Sequence, residues 1–285
     1  MDDVRVCAIV ISYNDATTLL DTVKAVSNQV KKVFIIDNGS TKSEITLIEK
    51  IDIKNVKIIK LSSNFGMAYA LNYGIELAER EEFDYILTLD QDSICSSKMV
   101  DSLLEIIVSN PKIGIVSPTV VYEDMNSERK KNNSSVEYVI TSGNLIKLTT
   151  FRQLGYYEEK LFIDSIDFDF CLRIFNANMH IIVDENSYLY HKLGNPRKIN
   201  IFGFFKFDFV EHNPVRNYYI FRNTIYLLKK YFKSNCVFCI KKTIMTIKLF
   251  VENIIFHSNR KEVVRMMLKG LNSGFRGEYG KYYER

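Results

Sequence analysis

The sequence predicts an α/β protein with a mostly parallel central sheet flanked by helices, and two observations carry that expectation. Through residue 109, short apolar runs of strand length alternate with longer segments of helical apolar period, the pattern of right-handed βαβ units. Each early apolar run also ends in a small polar cluster: Ser12-Tyr13-Asn14, Asp37-Asn38, Asn64 and Asp90-Gln91-Asp92. In an open parallel sheet those clusters share the edge where ligands bind, so they should line one crevice.

In chain order, the expected strands are 5–12, 33–36, 56–61, 85–89 and 114–118. Helical segments follow at 16–26, from Ser40 through Ile51, from Gly66 past Ala78, and at 97–109. No G-x-G-x-x-G follows the first strand and there is no P-loop, which excludes the common dinucleotide and NTPase frames. Residues 123–135, with Arg129-Lys130-Lys131, read as a solvated loop, and 136–148 as extended chain interrupted by Ser142-Gly143-Asn144. A short strand is expected at 187–191, and beyond Asn223 the pattern is mostly helical to Leu271.

Composition is that of a globular protein, with 47% apolar and 25% charged residues and only 4 Pro. An odd number of cysteines, 5, and no N-terminal secretory segment lead to an expected reducing, cytoplasmic compartment. Cys236 and Cys239 are read as two positions on one helix, not a zinc or redox pair. Charge is uneven: residues 1–194 carry 20 basic and 28 acidic side chains, net −8, whereas 195–285 carry 18 and 6, net +12. Aromatic residues interleave with that basic surplus, notably from Phe202 to Phe209, which favours a membrane surface over nucleic acid as its partner. The longest apolar candidate span, 236–256, holds Lys241, Lys242, Lys248 and Glu252 and is not transmembrane.

Two acidic clusters stand out. Asp90 and Asp92, one residue apart at the end of the fourth strand, suit a divalent cation carrying a phosphate group; the plainer reading is a solvated acidic turn. In Asp164-Ser165-Ile166-Asp167-Phe168-Asp169, Asp164 or Ser165 would cap a helix and Asp169 would pair with Arg173 four residues on, leaving Asp167 beyond what capping requires. His191, at the end of a short strand, is either a metal ligand or a structural histidine.

In their order, Ile11-Ser12-Tyr13-Asn14, Ile36-Asp37-Asn38-Gly39-Ser40, Asn64-Phe65-Gly66, Leu89-Asp90-Gln91-Asp92-Ser93, Asp167-Phe168-Asp169 and His191 resemble the family 2 inverting glycosyltransferases of GT-A fold. The Asp-Gln-Asp-Ser form, Phe162-Ile163-Asp164, and Arg216-Asn217-Tyr218-Tyr219 with Arg222-Asn223 are most similar to the bacterial rhamnosyltransferase branch. The resemblance implies a GT-A catalytic domain over 1–223 and a basic, mainly helical extension over 224–285.

It also implies donor contacts from Ser12, Tyr13, Asn14, Asp37, Asn64, Gly66, Asp90, Gln91, Asp92, Arg216 and Arg222, with Tyr13 stacking on the base and Asp37 accepting its ring N–H. Ser142, Gly143, Asn144 and Asp164 would face the acceptor. Asp92, His191 and Asp90 would hold Mg²⁺ or Mn²⁺, and Asp167 matches the catalytic base. The partners implied are a nucleotide-diphosphate sugar, with dTDP-rhamnose ahead of a UDP-hexose, and a saccharide or lipid-linked saccharide acceptor. A peripheral position at the inner membrane face and a homo-oligomer are further expectations, with no nucleic acid. One departure is that the common Glu-Asp pair reads Ile166-Asp167 here. Two rivals remain open: a haloacid-dehalogenase-like phosphatase, whose Asp-x-Asp normally follows the first strand, and an inactive membrane-associated scaffold.

Overall fold

The computed structural model describes residues 4–122, 134–192, 196–201 and 205–283, and the chain forms two compact units: Met1–Glu159 with Ile166–Lys192, and Lys160–Ser165 with Leu193–Arg285. The first unit holds β1 (Val6–Ser12), α1 (Leu19–Ser27), β2 (Lys32–Asp37), α2 (Lys42–Ile48), β3 (Val56–Lys60), α3 (Met67–Arg80), β4 (Tyr85–Asp90), β5 (Ser93–Cys95), α4 (Met99–Ser109), β6 (Ile113–Tyr122), β7 (Ser134–Ser135), β8 (Leu145–Lys147), α5 (Leu148–Leu154), α6 (Ile166–Asn176) and β9 (His180–His191).

Its sheet runs β3-β2-β1-β4-β8-β6-β9-β5, with β7 also on β9. The first four strands are mutually parallel, as are β6 and β9, while the short β5, β7 and β8 pair antiparallel. Every residue of β1 is buried, the consequence of an unbroken apolar run at the centre of a sheet covered on both faces. Gly74 lets α3 settle on that strand, since a Cβ there would lie 2.6 Å from Ile9 Cγ2.

Strand ends differ from the sequence expectation where pairing extends them. Instead of 114–118 and 187–191, β6 reaches Tyr122 and β9 begins at His180, because the two strands support each other along their length. A register shift at Pro118/Thr119 breaks the alternation that would have revealed them. The stretch 136–148 is not one extended segment: only Leu145–Lys147 forms a strand there, and Leu148 opens α5. The Arg129-Lys130-Lys131 loop, Phe202 and Phe204 lie outside the described residues.

The second unit contains a hairpin of β10 (Pro196–Ile201) and β11 (Phe205–Val210), then α7 (Pro214–Tyr231), α8 (Cys236–Phe256) and α9 (Arg260–Arg276). Asn213 caps α7 by accepting the Arg216 N–H at 2.7 Å, with Pro214 opening the first turn. α9 crosses α7 closely through Gly270 and Gly274; a Cβ on Gly270 would stand 2.3 Å from the Tyr218 carbonyl oxygen. By packing, α7 therefore belongs with the C-terminal helices, so this boundary is distinct from a functional one at 223. Among the described residues, no helix is long and apolar enough to cross a membrane.

Candidate active site

Hydrogen bonds lace together the loops that follow β1 to β4. The Gln91 side chain clamps the backbone of Tyr13, accepting its N–H at 2.8 Å and donating to its carbonyl at 3.3 Å. Asn14, at φ 52°, donates its N–H to Ser40 Oγ at 2.9 Å and accepts the Thr41 N–H at 2.9 Å. Buried Asp37 accepts the N–H of Ser40 at 3.0 Å and its hydroxyl, which shapes the turn after β2. Asn38 accepts the Phe65 N–H at 3.0 Å and donates to Asn64 Oδ1 at 3.3 Å, and Asn64 accepts the Gly66 N–H at 2.9 Å. Gly39 lies so near Ser63 that a Cβ would meet its backbone at 2.3 Å, so the second and third loops can be this close only with glycine there.

These loops bring together Tyr13, Asn14, Asp37, Asn64, Gly66 and Gln91, as expected for one crevice. The Tyr13 ring is exposed at its rim, whereas Ser12 is fully buried and its hydroxyl has no hydrogen-bond partner among the described residues.

Asp90, Asp92 and His191 converge beside that crevice, each offering a ligand atom within 4.8 Å of the others. Two ladder contacts place them: β4 delivers Asp90, and the antiparallel pairing of β5 with β9 sets Ser93 opposite His191. Two carboxylates, at and just beyond the end of β4, and one imidazole at the end of β9 fit a divalent cation such as Mg²⁺ or Mn²⁺, which prefers oxygen donors and tolerates a nitrogen.

A hydroxyl chain runs behind the cluster. The Asp90 N–H donates to Ser142 Oγ at 3.0 Å, Ser142 donates to Ser93 Oγ at 2.8 Å, and Ser93 Oγ lies 2.9 Å from His191 Nδ1. That nitrogen is also 3.4 Å from Asp92 Oδ1. The Tyr122 ring meets the imidazole edge at 6.1 Å, and burial pushes its phenol above the usual tyrosine range.

Ser142 and Asn144, expected to face the acceptor, are buried. Gly143, at φ +91°, donates its N–H to the Thr88 carbonyl at 2.7 Å, and the Thr88 N–H donates to the Asn144 carbonyl at 3.1 Å, so this loop is fastened to β4. Their role in Ser93 and His191 geometry is legible only from the tertiary contacts; the sequence signal was merely a serine directly after Asp92.

In α6, Asp169 is buried and paired with Arg173 at 3.0 Å, as its spacing implied. Asp167 sits half-buried in the first helical turn and accepts the Phe168 N–H at 2.9 Å. Ile166 is buried, so the apolar residue at the departure from Glu-Asp follows the packing. Asp164 and Ser165, the expected N-cap positions, have φ values of 62° and 66°, in the left-handed region rather than the extended backbone typical of a cap.

In the second unit, Asn223 Nδ2 donates to the carbonyls of Leu161, Ile163 and Asp164 at 3.0, 2.7 and 2.8 Å. Arg216 pairs with Asp164 at 3.2 Å. Arg222, expected at the donor, is buried and directs its guanidinium at the carbonyls of Lys160, Leu161 and Gly280. Burial lowers its pKa, while the neighbouring Tyr218 and Tyr219 oppose that shift. These residues hold Phe162, Asp164 and Ser165 in left-handed backbone that each occupies at a cost of about 1–3 kcal/mol.

The parallel strand set with its laced loop ends thus meets two aspartates and a histidine. The chain belongs to glycosyl transferase family 2, whose model matches residues 7–182. It is 28% identical over 251 residues to dTDP-rhamnosyl transferase RfbF of Shigella flexneri, covering 79% of this chain and 80% of that protein. It is also 34% identical over 128 residues to poly-beta-1,6-N-acetyl-D-glucosamine synthase of Staphylococcus aureus, covering 44% of this chain and 28% of the synthase.

The fold is similar to GalNAc-T7 solved with UDP, GalNAc and Mn²⁺, at TM-score 0.58 and 16% identity over 67% of this chain. It is likewise similar to S. aureus TarS, at TM-score 0.57 and 15% identity over 95% of this chain. This chain covers 44% and 43% of those two structures. Family membership displaces the phosphatase reading.

Proposed function

We propose that the protein transfers L-rhamnose from dTDP-rhamnose to a hydroxyl of a lipid-linked saccharide during surface-polysaccharide synthesis. The reaction is a single displacement that inverts the anomeric carbon. The observation that carries this reading is the convergence of Asp90, Asp92 and His191 at the end of the laced crevice. Similarity to a dTDP-rhamnosyl transferase over most of both chains supports the donor ahead of a UDP-hexose.

In this reading the exposed Tyr13 ring stacks on the base and Asp37 accepts its ring N–H. Ser12, Asn14, Asn64, Gly66 and Gln91 shape the pocket around the nucleotide, and Asp90 reaches the ribose. Asp92, His191 and Asp90 would hold Mg²⁺ or Mn²⁺, which would supply Lewis-acid stabilisation of the diphosphate leaving group. Asp167 takes the acceptor hydroxyl proton as that oxygen bonds to the anomeric carbon. The bond from that carbon to the phosphate oxygen breaks, and its electron pair leaves with the nucleoside diphosphate.

Ser142, Gly143 and Asn144 form a floor beneath the acceptor rather than its contact surface, and Asp164 contributes to acceptor binding. Arg216 serves the donor, and Arg222 acts through the loop it holds. Catalysis resides in 1–223, with 224–285 as an extension at the inner membrane face.

A thermal-shift and donor-hydrolysis screen with Mn²⁺, comparing dTDP-rhamnose with UDP- and GDP-sugars, tests the donor; preference for a UDP-sugar would overturn it. Asp167→Asn should lower kcat by about 10²–10⁴-fold while leaving the donor KM nearly unchanged. Retained transfer activity would remove Asp167 from the base role.

A further inference from the structure

The stretch 136–144, between β7 and β8, is fastened along its length. The Val136 N–H donates to the Ile181 carbonyl at 3.0 Å, the Cys171 thiol lies 3.9 Å from the Val139 carbonyl, and Asn144 Nδ2 donates to the Ile140 carbonyl at 2.7 Å. The Thr88 hydroxyl donates to the Thr141 carbonyl at 2.5 Å, and Ser142 accepts the Asp90 N–H. A segment already held this way loses little further freedom when a ligand binds it. Yet Tyr138, in its middle, keeps 46% of its surface exposed. Its ring meets that of Phe168 with centroids 5.1 Å apart and planes at 57°, and its hydroxyl has no hydrogen-bond partner among the described residues. Phe168 directly follows Asp167 in the first turn of α6. The four residues from Tyr138 to Ser142 span at most about 14 Å, which keeps the ring within a short oligosaccharide's reach of the residue behind the metal cluster.

We propose that Tyr138 is an acceptor-binding residue, its exposed ring carrying a pyranose ring of the saccharide whose hydroxyl Asp167 deprotonates. Chemistry selects this occupant. One face of a pyranose presents C–H groups, whose partial positive charge is attracted to the negative face of an aromatic ring. The tyrosine hydroxyl, donor and acceptor at once, suits the hydroxyls at the sugar's edge. Topology keeps the nucleotide away from this ring. In the sheet β4 lies between β1 and β8, so the exposed Tyr13 after β1 and the exposed Tyr138 before β8 belong to opposite sides of the strand that carries Asp90. A lone exposed aromatic residue is ordinary on a protein surface. This one is pinned, half uncovered and packed on the neighbour of the candidate base.

The inference rests on the proposed function for the reaction that the acceptor undergoes, and its first test needs no donor. The chain contains no tryptophan, so Tyr138→Trp places a single indole at the proposed subsite. Methyl glycosides of glucose, galactose, rhamnose and N-acetylglucosamine are titrated into this full-length variant while its emission is followed. At least one should shift the emission to the blue with saturation and shield the indole from acrylamide.

Sugar transfer to the glycoside that binds gives the second reading. Tyr138→Ala should raise the acceptor KM about tenfold with the donor KM changed far less. Tyr138→Phe and Tyr138→Trp should both stay within about threefold of the wild-type acceptor KM, because the ring carries the contact. An emission that no glycoside moves, or an acceptor KM that Tyr138→Ala leaves at the wild-type value, would overturn the proposal. Failure of the wild-type protein to hydrolyse any nucleotide sugar with Mn²⁺ would instead overturn the proposed function, and the indole titration would still decide whether Tyr138 binds a saccharide.

Discussion

Single side chains decide how the candidate metal cluster is held. Asp90 and His191 come from strands that are not neighbours in the sheet, yet Ser142 and Ser93 connect the Asp90 backbone to the imidazole. Groups placed behind metal ligands typically change affinity by 10–100-fold when removed, because they fix ligand orientation. Ser93→Ala should therefore weaken Mn²⁺ binding by about tenfold, measured from the free-ion signal in electron paramagnetic resonance. Asp92→Ala should weaken it further, and an unchanged affinity in both would show that the ion is held elsewhere. Asn223 is the comparable residue in the second unit. Replacing it with alanine removes the donor shared by three carbonyls, which are left unpaired, and releases the left-handed segment, so Asn223→Ala should cost about 2–3 kcal/mol in denaturant titration.

At the scale of elements, short loops and close crossings set the architecture. The four loop ends reach one crevice because each is bonded to the next through Gln91, Asn14 and Ser40, and Asn38 and Asn64. In the second unit, α7 and α9 approach so closely that Gly270→Ala would drive a methyl group into the Tyr218 carbonyl. Overpacking of this kind costs about 1–3 kcal/mol, and more where the obstacle is backbone. A lowered midpoint of unfolding would verify it, whereas a wild-type midpoint would mean that the helices separate without penalty. Element boundaries were readable wherever an apolar run was central, as in β1. They failed at β5, β9 and the β10–β11 hairpin, where strand identity depends on a partner and not on local pattern.

Across the whole molecule, the five cysteines report on burial. All are free; Cys7, Cys95, Cys171 and Cys239 are buried, and Cys236 is exposed. Desolvation pushes the Cys95 and Cys171 thiols up to about 12 and raises those of Cys7 and Cys239. Since the thiolate is the reactive form, native protein treated with iodoacetamide at pH 8 should be alkylated at Cys236 alone. Mass spectrometry showing five modified sites before denaturation would contradict this packing.

The sequence by itself determined the α/β alternation, the order of the polar strand ends and the pairing of Asp169 with Arg173. Each is written in local apolar period or in spacing along one helix. Tertiary structure alone decided that Ser142 stands behind the metal cluster, that Arg222 serves a loop rather than open space, and that α8 turns its isoleucines outward. Hydrogen-bond partners for those side chains come from residues far away in the chain. Which face of a helix is covered depends on what packs against it, and no local pattern records that.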